Sequence, residues 1–241
     1  MAVRDAGVVA ILLAAGASAR MAGAADADAE KAWAALDGEP LVARPLAMLA
    51  SLPGVERVVA VAPEERHAEL ARLAAEASGA PLRCVEGGAR RQDSVAAGVA
   101  AEPDAAWYLV HDAARPLASR QLALAVLAAA EEHGAALPGV PVVDTIKEVD
   151  AAGRVLATPA RERLRAAQTP QGFRGELLRR ALAADEAPGA PAATDCASLV
   201  ERLGEPVWLV DGEVANVKVT TAVDLARVRE TVARAPAGGG R

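Results

Sequence analysis

Short apolar runs rich in β-branched residues alternate along this chain with longer, alanine-rich segments whose apolar positions recur at helical spacing. Such an alternation predicts a parallel sheet covered by helices on both faces. Strands are expected at 8–13, 57–61, 82–86, 107–111, 136–143 and 206–210. Helices are expected at 64–76, 93–101, 119–133, 174–184, 195–203 and 223–233. Pro63 before Glu64 and Glu65, Ser119, and Thr194 with Asp195 put cap or acidic residues where a helix start leaves N–H groups unpaired.

The length of 241 residues suits one large α/β domain or two small ones. With 53% hydrophobic and 24% charged residues, a packed core can form, which argues against a wholly disordered chain. No apolar run approaches the roughly 20 residues of a membrane span. The formal net charge of −6 argues against a general nucleic-acid coat, so an anionic substrate must meet local clusters of base. Cys84 and Cys196 make neither a disulfide framework nor a zinc signature, which fits a reducing, cytoplasmic compartment. Near the start, Arg4, the apolar run 8–15 and Ala17-Ser18-Ala19 imitate a secretory signal. The same stretch reads as a buried strand breaking at Gly16, and Asp5 partly cancels Arg4.

One stretch, 144–170, interrupts the alternation. Thr145 to Val149 and Arg154 to Thr158 flank a turn ending in Gly153, a β-hairpin pattern. It reads either as an arm needing a partner surface or as a surface excursion of one monomer. No internal repeat is evident, and 235–241, ending in three glycines and Arg241, reads as a loose tail.

Ligands of open parallel sheets bind beyond the carboxyl ends of the strands, so the loops there carry the candidate chemistry. The loop after 8–13 is built of small residues, which lets backbone N–H groups approach an anion, and Arg20 adds a charge. It matches neither the dinucleotide fingerprint nor a Walker loop. Gly87-Gly88 turns the chain after 82–86, and His111-Asp112-Ala113-Ala114-Arg115 follows 107–110. Asp112 suits a Mg²⁺ bridging phosphates, or equally a cap or an ion pair with Arg115. His111 reads as structural, the aromatic residues form no stacking platform, and both cysteines read as core or passive groups. Arg161, Arg163 and Arg165 read equally as a solvated edge or as phosphate ligands. Of 26 basic residues only Lys31, Lys147 and Lys218 are lysine. Ammonium and guanidinium are not interchangeable at a crowded phosphate, which marks these three for attention.

Taken together, LAAGASARM (13–21), Lys31, GGARRQDSV (87–95), VHDAARP (110–116), DTIK (144–147), RERLRAAQTPQGF (161–173), TDCASLVE (194–201) and NVKVTTAVDL (216–225) resemble the 2-C-methyl-D-erythritol 4-phosphate cytidylyltransferase family. The chain departs from the family pattern at Ser18, commonly glycine, and in a longer 22–30 segment that lacks the proline often found before the lysine.

The resemblance implies a Rossmann-like, mostly parallel sheet of the nucleoside-diphospho-sugar transferase type, in one domain over 1–241 with a protruding hairpin arm at 144–170 and a flexible tail at 235–241. It implies transfer of CMP from CTP to 2-C-methyl-D-erythritol 4-phosphate, an isoprenoid precursor step. By resemblance Arg20 and Lys31 stabilise the transition state, and Asp112 sits beside a Mg²⁺. Ala14, Ala15, Gly16, Gly88, Ser94, Asp112 and Ala113 line the nucleotide. Thr145, Arg161, Lys218, Arg115 and Thr169 position the methylerythritol phosphate. The family also implies a homodimer with exchanged arms, with no nucleic-acid or membrane partner. Ribitol-5-phosphate cytidylyltransferase, or a nucleotide-binding module without turnover, are the alternatives.

Overall fold

A computed structural model of the chain describes residues 7–15, 31–36, 38–185 and 193–234. The first strand, β1 (Val8–Leu13), lies inside the main sheet with apolar side chains on both faces. Val8, Ala10 and Leu12 join one core cluster, whereas Val9 and Ile11 join the other. A small hairpin of β2 (Ala35–Leu36) and β3 (Glu39–Pro40) leads into α1 (Ala43–Ala50). After it come β4 (Val55–Val61), α2 (His67–Ala77), β5 (Leu82–Val85), α3 (Arg91–Ala101), β6 (Trp107–Asp112), α4 (Arg120–His133) and β7 (Ala135–Pro141). The arm carries β8 (Glu148–Val149) and β9 (Val155–Ala157). The chain returns through β10 (Arg165–Ala167) and β11 (Gln171–Arg174) and ends with α5 (Gly175–Asp185), α6 (Cys196–Arg202), β12 (Trp208–Asp211) and α7 (Ala222–Arg234).

Strands β5, β4, β1 and β6 are adjacent in that order and all parallel. β11 is inserted antiparallel between β6 and β7. β10 also pairs antiparallel with β7, and β12 pairs parallel with it. Leu46, Leu49, Leu70, Val126 and Leu127 cover one face. Val95, Val99, Leu178, Leu182 and Leu199 cover the other. Burial of these branched side chains supplies most of the driving force for the two layers.

The expected α/β class and most elements are present, with informative shifts. The 64–76 helix opens with a 3-10 turn, Glu64–Arg66, before α2. Ser119 and Asp195 do cap their helices, accepting from the N–H groups of Leu122 and Ser198. Strand 107–111 extends to include Asp112, and the 206–210 strand runs Trp208–Asp211. Helix α1 was not expected, because Pro45 interrupts its pattern; proline is tolerated in a first turn, where no intrahelical partner for its missing N–H is required. β11 also lies outside the expected strands. Its four residues include Gln171 and Gly172, which lack strand propensity, yet two flanking strands supply its ladder.

The hairpin in the 144–170 excursion is present, with Glu148 opposite Ala157 and Val149 opposite Val155. Gly153 at φ +84° closes its turn, a conformation glycine adopts without a Cβ clash. Every residue of both arm strands is exposed. The return to the main sheet is complete by Arg165, and Gln168, Thr169 and Pro170 are buried. The apolar run that imitates a secretory signal overlaps β1; the 235–241 tail lies outside the described residues.

Candidate active site

The carboxyl ends of four parallel strands open on one side of the sheet. Their tips are stitched together: Ala14 N–H donates to Val61, Ala62 to Val85 and Ala113 to Leu13. Gly87 is packed so tightly there that a Cβ on it would lie 2.4 Å from the Ala15 Cβ and 2.9 Å from Ser94 Oγ. The loop then closes on itself, with Gly88 N–H donating to Ser94 Oγ at 3.2 Å. At the start of α3, the Arg90 side chain and the Asp93 carboxylate form a capping box. Ala14, Ala15, Gly88 and Ser94 are therefore neighbours around one glycine turn.

At the end of β6, Asp112 is buried and accepts from two cations. Arg91 donates to Oδ1 from Nη2 at 3.0 Å and Nε at 3.3 Å. Lys218 Nζ lies 2.8 Å from Oδ2. Burial alone would raise the Asp112 carboxyl, but Arg91 and Lys218 outweigh it and hold it well below the usual carboxylate range. Arg115 contributes a third cation, its basicity lowered by burial and by Arg91 and raised by Asp112. Three cations against one carboxylate leave excess positive charge, which suits a multiply charged anion.

Neighbouring backbone and side chains fix this cluster. Thr169 Oγ1 accepts from Asp112 N–H at 3.1 Å and donates to His111 Nδ1 at 2.8 Å, while His111 Nε2–H donates to Arg115 O at 3.2 Å. Arg115 Nη1 donates to Asn216 O at 2.8 Å. Gln168 Nε2 donates to the carbonyls of Glu213 and Asn216, and Val219 N–H donates to Ala114. These bonds bring the 213–219 segment, and Lys218 with it, against β6. Among the described residues, two buried side-chain polar atoms are left without a partner, Arg115 Nε and Asn216 Oδ1.

The family model of 2-C-methyl-D-erythritol 4-phosphate cytidylyltransferase (IspD) matches residues 8–234. The chain belongs to that family. It is 44% identical over 229 residues to the 2-C-methyl-D-erythritol 4-phosphate cytidylyltransferase of Nocardia farcinica, covering 95% of this chain and 94% of that protein. The crystal structure of the enzyme so named from Thermus thermophilus superposes with TM-score 0.74 at 36% identity, over 94% of this chain and 98% of that one. The 4-diphosphocytidyl-2C-methyl-D-erythritol synthase of Anaerococcus prevotii superposes with TM-score 0.83 at 25% identity, over 95% and 99%.

Within this cytidylyltransferase fold, Asp112, Ala113, Arg115, Thr169 and Lys218 converge at the end of β6, next to the turn that gathers Ala14, Ala15, Gly88 and Ser94. The alternative pairing of Asp112 with Arg115 gives way to Arg91 and Lys218. His111 is fully buried with both ring nitrogens hydrogen-bonded, the satisfied position near a strand end expected of it. Thr145 and Arg161 are on the exposed arm, where Arg161 donates to Val143 O at 2.9 Å; no bond among the described residues ties either to the Asp112 cluster. Gly16 and Arg20 lie outside the described residues; the backbone of Lys31 begins the turn Lys31–Trp33, and its side chain also lies outside the description. Cys196 is buried with Sγ 3.4 Å from Arg91 Nη1, and burial raises its thiol pKa, which fits a passive group.

Arg91, Gln168 and Asn216 lie outside the expected set of site residues. Arg91 had a legible signal: two arginines stand at the start of a helix, where the dipole disfavours cations.

Proposed function

We propose that this chain, as a family member, transfers the cytidylyl group of CTP to 2-C-methyl-D-erythritol 4-phosphate, releasing pyrophosphate. An oxygen of the 4-phosphate attacks the α-phosphorus in line. The bond from that phosphorus to the oxygen bridging to the β-phosphate breaks, and its electron pair leaves with pyrophosphate. The observation that carries the reading is the excess of fixed cations around buried Asp112 at the mouth of a parallel sheet. Two anions that repel each other must be held in contact, and fixed charge does this without reorganisation.

In this reading Ala14, Ala15, Gly16, Gly88, Ser94 and Ala113 line the nucleotide. Arg115, Thr169 and Lys218 hold the methylerythritol phosphate beside Asp112, and Arg20 and Lys31 stabilise the transferring phosphoryl group. The donor set fits a Mg²⁺ that takes most of its ligands from phosphate and water. Asp112 supplies one ionised carboxylate, and no metal-sized group of His, Cys, Asp and Glu occurs among the described residues. A carboxylate has about four lone-pair sites, so Asp112 would take the ion while keeping its bonds to Arg91 and Lys218. The ion would supply charge neutralisation on the triphosphate.

The active unit is a homodimer whose 144–170 arms exchange, bringing Thr145 and Arg161 to the partner's acceptor site. Exposed Val149, Val155 and Leu156 on the arm support this, since such a hairpin has no core of its own. In this reading the enzyme works in the cytoplasm, a reducing compartment that suits the free cysteines Cys84 and Cys196. The test is pyrophosphate release from CTP and Mg²⁺ with methylerythritol 4-phosphate and with ribitol 5-phosphate. Turnover with the former supports the reading. Turnover only with the latter, or nucleotide binding without release, overturns it.

A further inference from the structure

Arg91 is the first residue of α3 and, among the described residues, the only one that bonds both to Asp112 and to Cys196 at the start of α6. A guanidinium at a helix start opposes the dipole, and such local costs concentrate where function requires them. The neighbouring Arg90 meets two carboxylates, Asp93 and Asp185. Arg91 meets one, and among the described residues that one is Asp112. The division of labour on that carboxylate is clean. Arg91 takes Oδ1 from inside, its side chain 23% exposed, and Lys218 takes Oδ2 from the crevice side, 43% exposed.

We propose that Arg91 is a positioning residue for the transfer, fixing the Asp112 carboxylate so that Lys218 is held at the crevice mouth. Through its place at the start of α3 it also ties the acceptor side of the site to the glycine loop at Gly87 and Gly88. The proposal rests on the transfer reading above. Without Arg91, Asp112 has one anchor, can turn about its side-chain bonds, and no longer holds the ammonium in one place. Bonds that orient a site ligand from behind typically contribute 10–100-fold to activity.

The test is a double-mutant cycle on kcat and on KM for each substrate. Arg91→Gln is expected to lower kcat/KM for the polyol phosphate by about 10–100-fold, with KM for CTP changed much less. Arg91→Lys, which keeps the charge, is expected to recover part of the loss; it also serves as the test variant if Arg91→Gln does not fold. In an Asp112→Asn background, removing Arg91 is expected to cost little more. If the two losses simply multiply, Arg91 acts independently of Asp112 and the proposal is wrong. A crystal structure of the variant gives a readout that does not depend on turnover. Asp112 turned away from Lys218 supports the proposal; an unmoved Asp112–Lys218 pair overturns it. An inactive wild type would sink the transfer reading while that structure still decides Arg91.

Discussion

His111 sets a pH dependence separate from that of Asp112. Burial pushes its imidazole down to about 4, and its two bonds suit one neutral tautomer, donating from Nε2 and accepting at Nδ1. In the unfolded chain it titrates near 6.5, so between about 4 and 6.5 the unfolded state binds more protons. The stabilisation is complete above about 6.5 and is lost as pH falls toward 4, on the order of 3 kcal/mol in all. Asp112, also depressed, loses its contribution only below the ordinary carboxylate range. Urea unfolding at pH 7.5 and 4.5 is therefore expected to show a clear loss, reduced in His111→Gln. An equal loss in the variant would remove His111 as its source.

At the scale of elements, the glycine turn before α3 and the cap of α4 fail in different ways. In Gly87→Ala the new Cβ meets Ala15 and Ser94 well inside contact distance, so the turn must shift. Misplacement of this kind can cost about 100-fold in rate, so kcat/KM for CTP is expected to fall steeply while Tm changes little. Unchanged CTP kinetics would dissociate that turn from the nucleotide. Ser119→Ala removes the hydroxyl that accepts from Leu122 N–H and donates to Glu213. It is expected to cost about 1 kcal/mol of stability, measured by urea unfolding. A loss of several times that would show that the Glu213 bond, and with it the Lys218 segment, matters more than the cap.

The arm is a property of the whole molecule, and its assignment is tested by mixing. Arg20→Ala and Arg161→Ala proteins, each inactive alone, are allowed to reassort. With exchanged arms a heterodimer has one doubly damaged site and one intact site. Half of randomly paired dimers are hetero, so about a quarter of wild-type activity is expected to return. With each arm folded back on its own chain, every site keeps one lesion. No recovery despite demonstrated subunit exchange would rule out the crossed-arm site.

Apolar patterning, with caps at Ser119 and Asp195, predicted most of the helices and the parallel half of the sheet, since such signals act within a few residues. The loop motifs likewise pointed to Asp112, Arg115 and Lys218. Helix α1 and β11 escaped because proline in a first turn and a Gln-Gly strand carry no local signal for the state they adopt. The tertiary structure decided that Arg91, 21 positions before Asp112, and Lys218, 106 after it, share that carboxylate. It also joined Thr169 to His111 across 58 positions. Periodicity and capping are short-range properties of the backbone, whereas these contacts exist only once separate strands and loops have packed against one another and excluded water.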